Sequence, residues 1–105
     1  MYYVYILKLA DNRFYTGFTA NLENRIKTHI DGHVPSTKKY RPVELIHYEA
    51  YLMESDARRR ERFLKKSEGK ALLKKQIRDL LEEIDSSTPP PCHAAWRGAA
   101  GSKNA

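Results

Sequence analysis

Cysteine is almost missing from this chain of 105 residues: Cys92 stands alone, which excludes an internal disulfide and any zinc site of the Cys-x-x-Cys type. Its neighbour His93 could ligate a metal, but two adjacent ligands do not make a site. Long apolar runs are missing too. No stretch approaches the ~20 residues that a membrane-spanning helix needs, so no membrane partner is expected. The first residues, Met1-Tyr2-Tyr3-Val4-Tyr5-Ile6-Leu7, lack the basic start and small-residue cleavage site of a secretory signal, and the expected location is cytoplasmic. Internal repeats are absent. Acidic residues are the scarcer charge: thirteen Asp and Glu face nineteen Lys and Arg, a net charge of +6. Through Ile77 sixteen bases face nine acids, which is +7, so the remainder is slightly acidic. A compact basic body suits a polyanionic partner, because each phosphate contact releases counterions. A merely soluble basic protein would have the same totals.

The length suits one domain, and the pattern divides it into short elements. Tyr2 to Leu9 is aromatic and β-branched, and it reads as a strand. Ala10-Asp11-Asn12 supplies a turn in which Asn12 can take a left-handed conformation, and Arg13 to Phe18 is the returning strand. Side chains alternate faces along a strand, so loop length decides which residues meet. A three-residue loop pairs Leu7 with Tyr15 and puts Tyr3, Tyr5 and Tyr15 on one face. A loop of two or four would separate Tyr5 from Tyr15. Thr19 or Asn21 can cap the helix that follows, Leu22, Ile26 and Ile30 form its apolar stripe, and Gly32 can end it. Arg25 and His29, four residues apart, border that stripe on one side of the helix.

A polar loop from Pro35 to Pro42 carries Lys38-Lys39-Tyr40-Arg41, and Val43 to Tyr51 reads as a third strand. The next helix starts near Ser55 or Asp56 and runs to Lys66, with Ala57 and Leu64 facing inward. Glu61 falls between those two on the same stripe, where a carboxylate is costly unless it is paired, coordinated or at a cleft edge. Leu72, Leu73, Ile77, Leu80, Leu81 and Ile84 predict one further helix over roughly Lys70 to Ile84. The folded unit is therefore expected to span 1–84, and the Ser/Pro-rich and Ala/Gly-rich stretch 85–105 to be a disordered tail.

Two phenols, a guanidinium, an imidazole and one acid in cationic surroundings are a plausible set for cleaving a phosphodiester. Each member also has an ordinary role. Tyr5 and Tyr15 can be strand packing residues, Arg25 and His29 helix-edge residues, and Gly17 a turn glycine. Glu61 can pair with Lys65 at i,i+4. Lys38, Lys39, Tyr40, Arg41 and Lys65 are candidates for holding a nucleic-acid backbone, with Tyr40 able to stack on a base. Arg58, Arg59, Arg60 and Arg62 extend the positive surface, individually as solvated helix residues.

The order Tyr-x-Tyr, turn, Tyr-x-Gly, Arg-x-x-x-His, then Glu within Ala-x-x-x-Glu-x-x-Leu-Lys resembles the GIY-YIG nuclease superfamily. The similarity covers about Met1 to Ile77. It is nearest to small single-domain bacterial proteins that are similar to the N-terminal nuclease domain of the excinuclease ABC system; these small members share a segment like Lys38 to Pro42. The resemblance implies an α/β domain of the α+β kind: a three-stranded, mainly antiparallel sheet flanked by helices. It puts the first motif on Tyr3, Val4 and Tyr5 and the second on Tyr15, Thr16 and Gly17. It implies that Tyr5 activates or orients the attacking water, that Tyr15, Arg25 and His29 serve the phosphate, and that Glu61 binds Mg²⁺ or Mn²⁺. Tyr3 and Thr16 replace the usual glycine and isoleucine, and no asparagine follows Glu61 before Ile77, where many larger members have one. The implied activity is metal-dependent endonucleolytic hydrolysis of DNA in repair or processing, structure-selective or weakly sequence-specific, with RNA as the other candidate substrate and a targeting partner to direct it. The rival readings are a nucleic-acid-binding module without catalysis and a protein-interaction adaptor.

Overall fold

The computed structural model describes residues 1–86. The hairpin is built as its loop length requires. Strand β1 (Tyr2–Lys8) pairs antiparallel with β2 (Phe14–Thr19), with Leu7 opposite Tyr15 and Tyr5 opposite Gly17. Asn12 closes the turn at φ 71°, and the Leu9 N–H donates to the Arg13 carbonyl at 2.8 Å. Strand β3 (Glu44–Tyr51) pairs antiparallel with the other side of β1. The order is therefore β2-β1-β3, and β1 is the central strand. The register between β1 and β3 slips by one residue at Ile6/Leu7, leaving Ile46 as the extra residue of a bulge.

Alternation along β1 gives the protein two cores. Tyr5, Leu7 and Leu9 pack with Leu22 and Ile26 of helix α1 (Leu22–Ile30), together with Val43 and Leu45. Val4 and Ile6 pack on the opposite face with Ala57 and Leu64 of α3 (Glu54–Leu64) and Leu73 of α4 (Ser67–Gln76). Ala57 and Leu64 are fully buried, as their spacing implies.

Asn21 caps α1, its Oδ1 accepting from the Asn24 N–H at 3.1 Å. Gly32 ends it at φ +82°, with the Gly32 and His33 N–H groups returning to the carbonyls of His29 and Thr28 at 3.1 and 3.0 Å. The polar loop contains a one-turn helix, α2 (Pro35–Lys38), started by proline at its first position. A cis peptide joins Arg41 and Pro42.

Two expectations need correcting. The helix anticipated over Lys70 to Ile84 begins earlier and is two helices, α4 and α5 (Arg78–Ser86), which meet at Ile77. No proline or glycine marks the break; Ile77 leaves helical dihedrals where it packs against the second core. Helix α5 also continues past the boundary expected near residue 85. Residues 87–105, and with them Cys92, His93 and most of the anticipated tail, lie outside those described.

Candidate active site

Tyr5 points from β1 into the first core and crosses β2 at Gly17. A Cβ on Gly17 would overlap the phenol ring and its hydroxyl, so this position must lack a side chain. Gly17 therefore sits inside β2, not at its end, and the group passing close to it is a ring, not a backbone. The Tyr5 side chain is fully buried, and its hydroxyl lies 2.8 Å from His29 Nε2. Arg25 Nε donates to the same oxygen at 3.3 Å. The helical spacing of Arg25 and His29 puts both on the one phenol. Tyr15 completes the aromatic group, its ring centroid 6.4 Å from Tyr5 and 5.2 Å from His29.

Sequence reasoning missed a further member. Thr37 of α2 is fully buried, and its Oγ1 lies 2.8 Å from His29 Nδ1. Threonine in a polar loop carries no periodicity, and the only signal nearby was the basic run that begins at Lys38. The imidazole is thus held at both nitrogens, and a neutral ring donates through one and accepts through the other. The chain Thr37–His29–Tyr5 therefore has a direction, and it fixes the Tyr5 hydroxyl.

Burial decides the protonation states. It lowers the His29 pKa from 6.5 to about 4, and the Arg25 charge pushes the same way, so the ring is neutral at pH 7. Burial also raises the Tyr5 phenol above its usual 10; the hydrogen bond from Arg25 opposes this and loses. Tyr5 is accordingly a phenol at neutral pH, which removes the phenolate-base form of its anticipated role and leaves the orienting form. His29 is fully buried, so direct contact with a phosphate is not open to it here. The accessible members are Arg25 and Tyr15, both half-buried. Among the described residues no carboxylate lies within ion-pair distance of Arg25.

Glu61 is on α3, its side chain 15% exposed, and its charge acts on the Tyr5 phenol. Lys65, anticipated as a backbone contact, instead pairs with Glu61 at 3.0 Å, as i,i+4 spacing favours. Among the described residues no three His, Cys, Asp or Glu gather to enclose a cation. A lone carboxylate at the rim of an apolar stripe fits Mg²⁺ or Mn²⁺, which keep most of their waters and use one or two carboxylates plus substrate phosphate.

The anticipated basic loop is only partly free. Lys38 and Lys39 are exposed, whereas Arg41 Nε donates to the Lys38 carbonyl at 3.2 Å and its guanidinium lies over Gly32. One face of the Tyr40 ring is covered by Arg13, 4.7 Å from its centroid, so that face cannot stack on a base. Arg60 is no solvated surface residue: it pairs with Glu49 at 2.9 Å and is 21% exposed. Arg58 lies 3.9 Å over the Phe18 ring.

The profile of the GIY-YIG catalytic domain matches residues 1–76. The chain belongs to the GIY-YIG family. That places it in a nuclease superfamily, and the fold is the α+β sheet described above. Similar GIY-YIG relatives include the UPF0213 protein SH2523 of Staphylococcus haemolyticus, 49% identical over 61 residues that cover 57% of this chain and 74% of the relative. The UPF0213 protein CPE1444 of Clostridium perfringens is 45% identical over 67 residues, 63% of this chain and 72% of that one. Among solved structures, the solution NMR structure of the UPF0213 protein BH0048 from Bacillus halodurans is 34% identical, covers 70% of this chain and 82% of its own, and gives a TM-score of 0.46. No helix among the described residues is long and apolar enough to cross a membrane.

Proposed function

We propose that this GIY-YIG protein is a metal-dependent endonuclease that hydrolyses DNA phosphodiester bonds. One observation carries the reading. Arg25 has no acid to neutralise it among the described residues, yet it is held in place by a buried phenol that also senses Glu61. A cation so fixed suits the negative charge that develops on a phosphoryl group under attack. Its planar fork can hold two phosphoryl oxygens.

In this reading Arg25 and Tyr15 meet the scissile phosphate, and Tyr5, His29 and Thr37 orient them from beneath. Glu61 would hold Mg²⁺ or Mn²⁺, which when bound supplies a Lewis acid for the phosphoryl oxygen and the leaving alkoxide. To release that carboxylate, Lys65 gives up an ion pair whose ammonium end is solvent-exposed, and such pairs are weak.

The test is nicking of supercoiled plasmid by the full chain with Mn²⁺, with EDTA, and with the Glu61→Gln variant. The wild type should nick with metal only. The variant should lose on the order of 10²-fold or more in rate, while retaining DNA binding. Nicking in EDTA, or equal nicking by the variant, defeats the mechanism. DNA binding with no nicking under any condition favours the binding-module reading.

A further inference from the structure

We propose that the cleft beside the free edge of β2 is a second anion subsite, which holds a backbone phosphate of the nucleic-acid strand flanking the bond at Arg25. The proposal rests on the nuclease reading for its substrate and extends it to residues that no motif singles out. The cleft has a volume of about 590 Å³ and lies between the hairpin turn, α2 and α4. Its charged lining is Arg13, Lys70 and Lys74, and no carboxylate lines it.

Three features argue for an anion. Lys70 and Lys74 are four residues apart on α4, which stacks two like charges on one helix face. Such a pair repels unless something negative lies between or beside it. The aromatic walls hold the cations without discharging them: Arg13 lies 4.7 Å from the Tyr40 ring centroid, and the Lys74 ammonium 6.0 Å from that of Phe14. Asp11 pairs with Arg13 at 2.7 Å from outside the lining, which leaves the two lysines as the uncompensated charges.

The cleft is also continuous with the candidate site. Tyr15 lines it and packs against both Tyr5 and His29. A strand with one phosphate at Arg25 therefore passes Tyr15 and reaches the lysines with a neighbouring phosphate. The apolar surface of Leu9 and Phe14 is suited to the intervening sugar.

The test uses the full chain and a fluorescein-labelled DNA oligonucleotide, with affinity followed by anisotropy over a salt series in EDTA. The variant is Lys70→Gln/Lys74→Gln; Arg59→Gln/Arg78→Gln removes the same charge from exposed positions outside the cleft. The lysine variant should bind about tenfold more weakly at moderate salt, and the slope of log affinity against log salt should fall by about 2. The control should keep the wild-type slope. An unchanged slope in the lysine variant, an equal loss in the control, or no DNA binding by the wild type each overturns the proposal. Because binding is read in EDTA, a protein that never nicks can still satisfy it, and a nuclease with an unchanged lysine-variant slope refutes it alone.

Discussion

Two polar clusters lie on opposite faces of one sheet, and each contains a tyrosine, a histidine and an arginine. On the β1–α1 face these are Tyr5, His29 and Arg25. On the β3–α3 face they are Tyr51, His47 and Arg60, and there all three converge on Glu49. Its carboxylate accepts from the Tyr51 hydroxyl at 2.6 Å, from Arg60 Nε and Nη2 at 2.9 and 3.2 Å, and contacts His47 Nε2 at 3.0 Å. Arg60 also reaches Gln76 of α4 at 3.1 Å. The hydrogen bond to His47, then those from Arg60 and Tyr51, hold the Glu49 pKa down at about 2. Burial, and after it the bond to Glu49, pushes Tyr51 up to about 12. This second cluster is electrically closed and ties β3 to α3 and α4. The first has the same residue types but a phenol where the other has a carboxylate, so its arginine keeps a net charge to offer. Residue types alone therefore do not mark a phosphate site; an arginine without an acid does.

The sharpest way to break the comparison is to truncate the two arginines in parallel. Arg25→Ala should cut plasmid nicking by on the order of 10²- to 10³-fold and change stability by less than about 0.5 kcal/mol. Arg60→Ala should do the reverse, costing about 2 kcal/mol in urea unfolding because Glu49 loses its charged partner, with the rate per folded molecule unchanged. Equal behaviour of the pair would erase the distinction.

A smaller effect is expected at Thr37. Removing its hydroxyl in Thr37→Val leaves His29 Nδ1 without a partner and should slow kcat about tenfold with KM unaltered, equivalent to one buried hydrogen bond of ~1.4 kcal/mol. Thr37→Ser should restore the rate. A Val variant as active as the wild type would leave the relay without a positioning role.

The smallest effects are in the pH dependence of stability, where the clusters occupy separate windows. His29 is protonated more readily in the unfolded chain, so stability is complete above about 6.5 and declines as pH falls towards about 4. Glu49 contributes above its ordinary 4.5, and that contribution is lost as pH falls towards about 2. Urea midpoints should thus decline in two stages, with Glu49→Gln removing the lower one. NMR titration should find the His29 imidazole neutral down to about pH 4; protonation near 6.5 would contradict its burial.

The hairpin was legible because period-two alternation turns a loop length into a face assignment, and Ala10 to Asn12 is a loop of the required length. The α1 stripe, its Asn21 cap and its Gly32 terminus were legible for the corresponding helical reason. Arg60 was not. In sequence it is one of four arginines around Glu61, and only the docking of α3 against β3 selects it for Glu49. The break at Ile77 was hidden because the apolar spacing runs through it without interruption.

What the sequence determined alone was local: which residues alternate, which stack at i,i+4, and where turns and caps fall, since these depend on bond geometry between near neighbours. The tertiary structure decided which of those side chains lost water and which found a partner across the fold. Burial and pairing are what keep Tyr5 a phenol, His29 neutral and Arg25 uncompensated, and neither is a property of a residue and its neighbours in the chain.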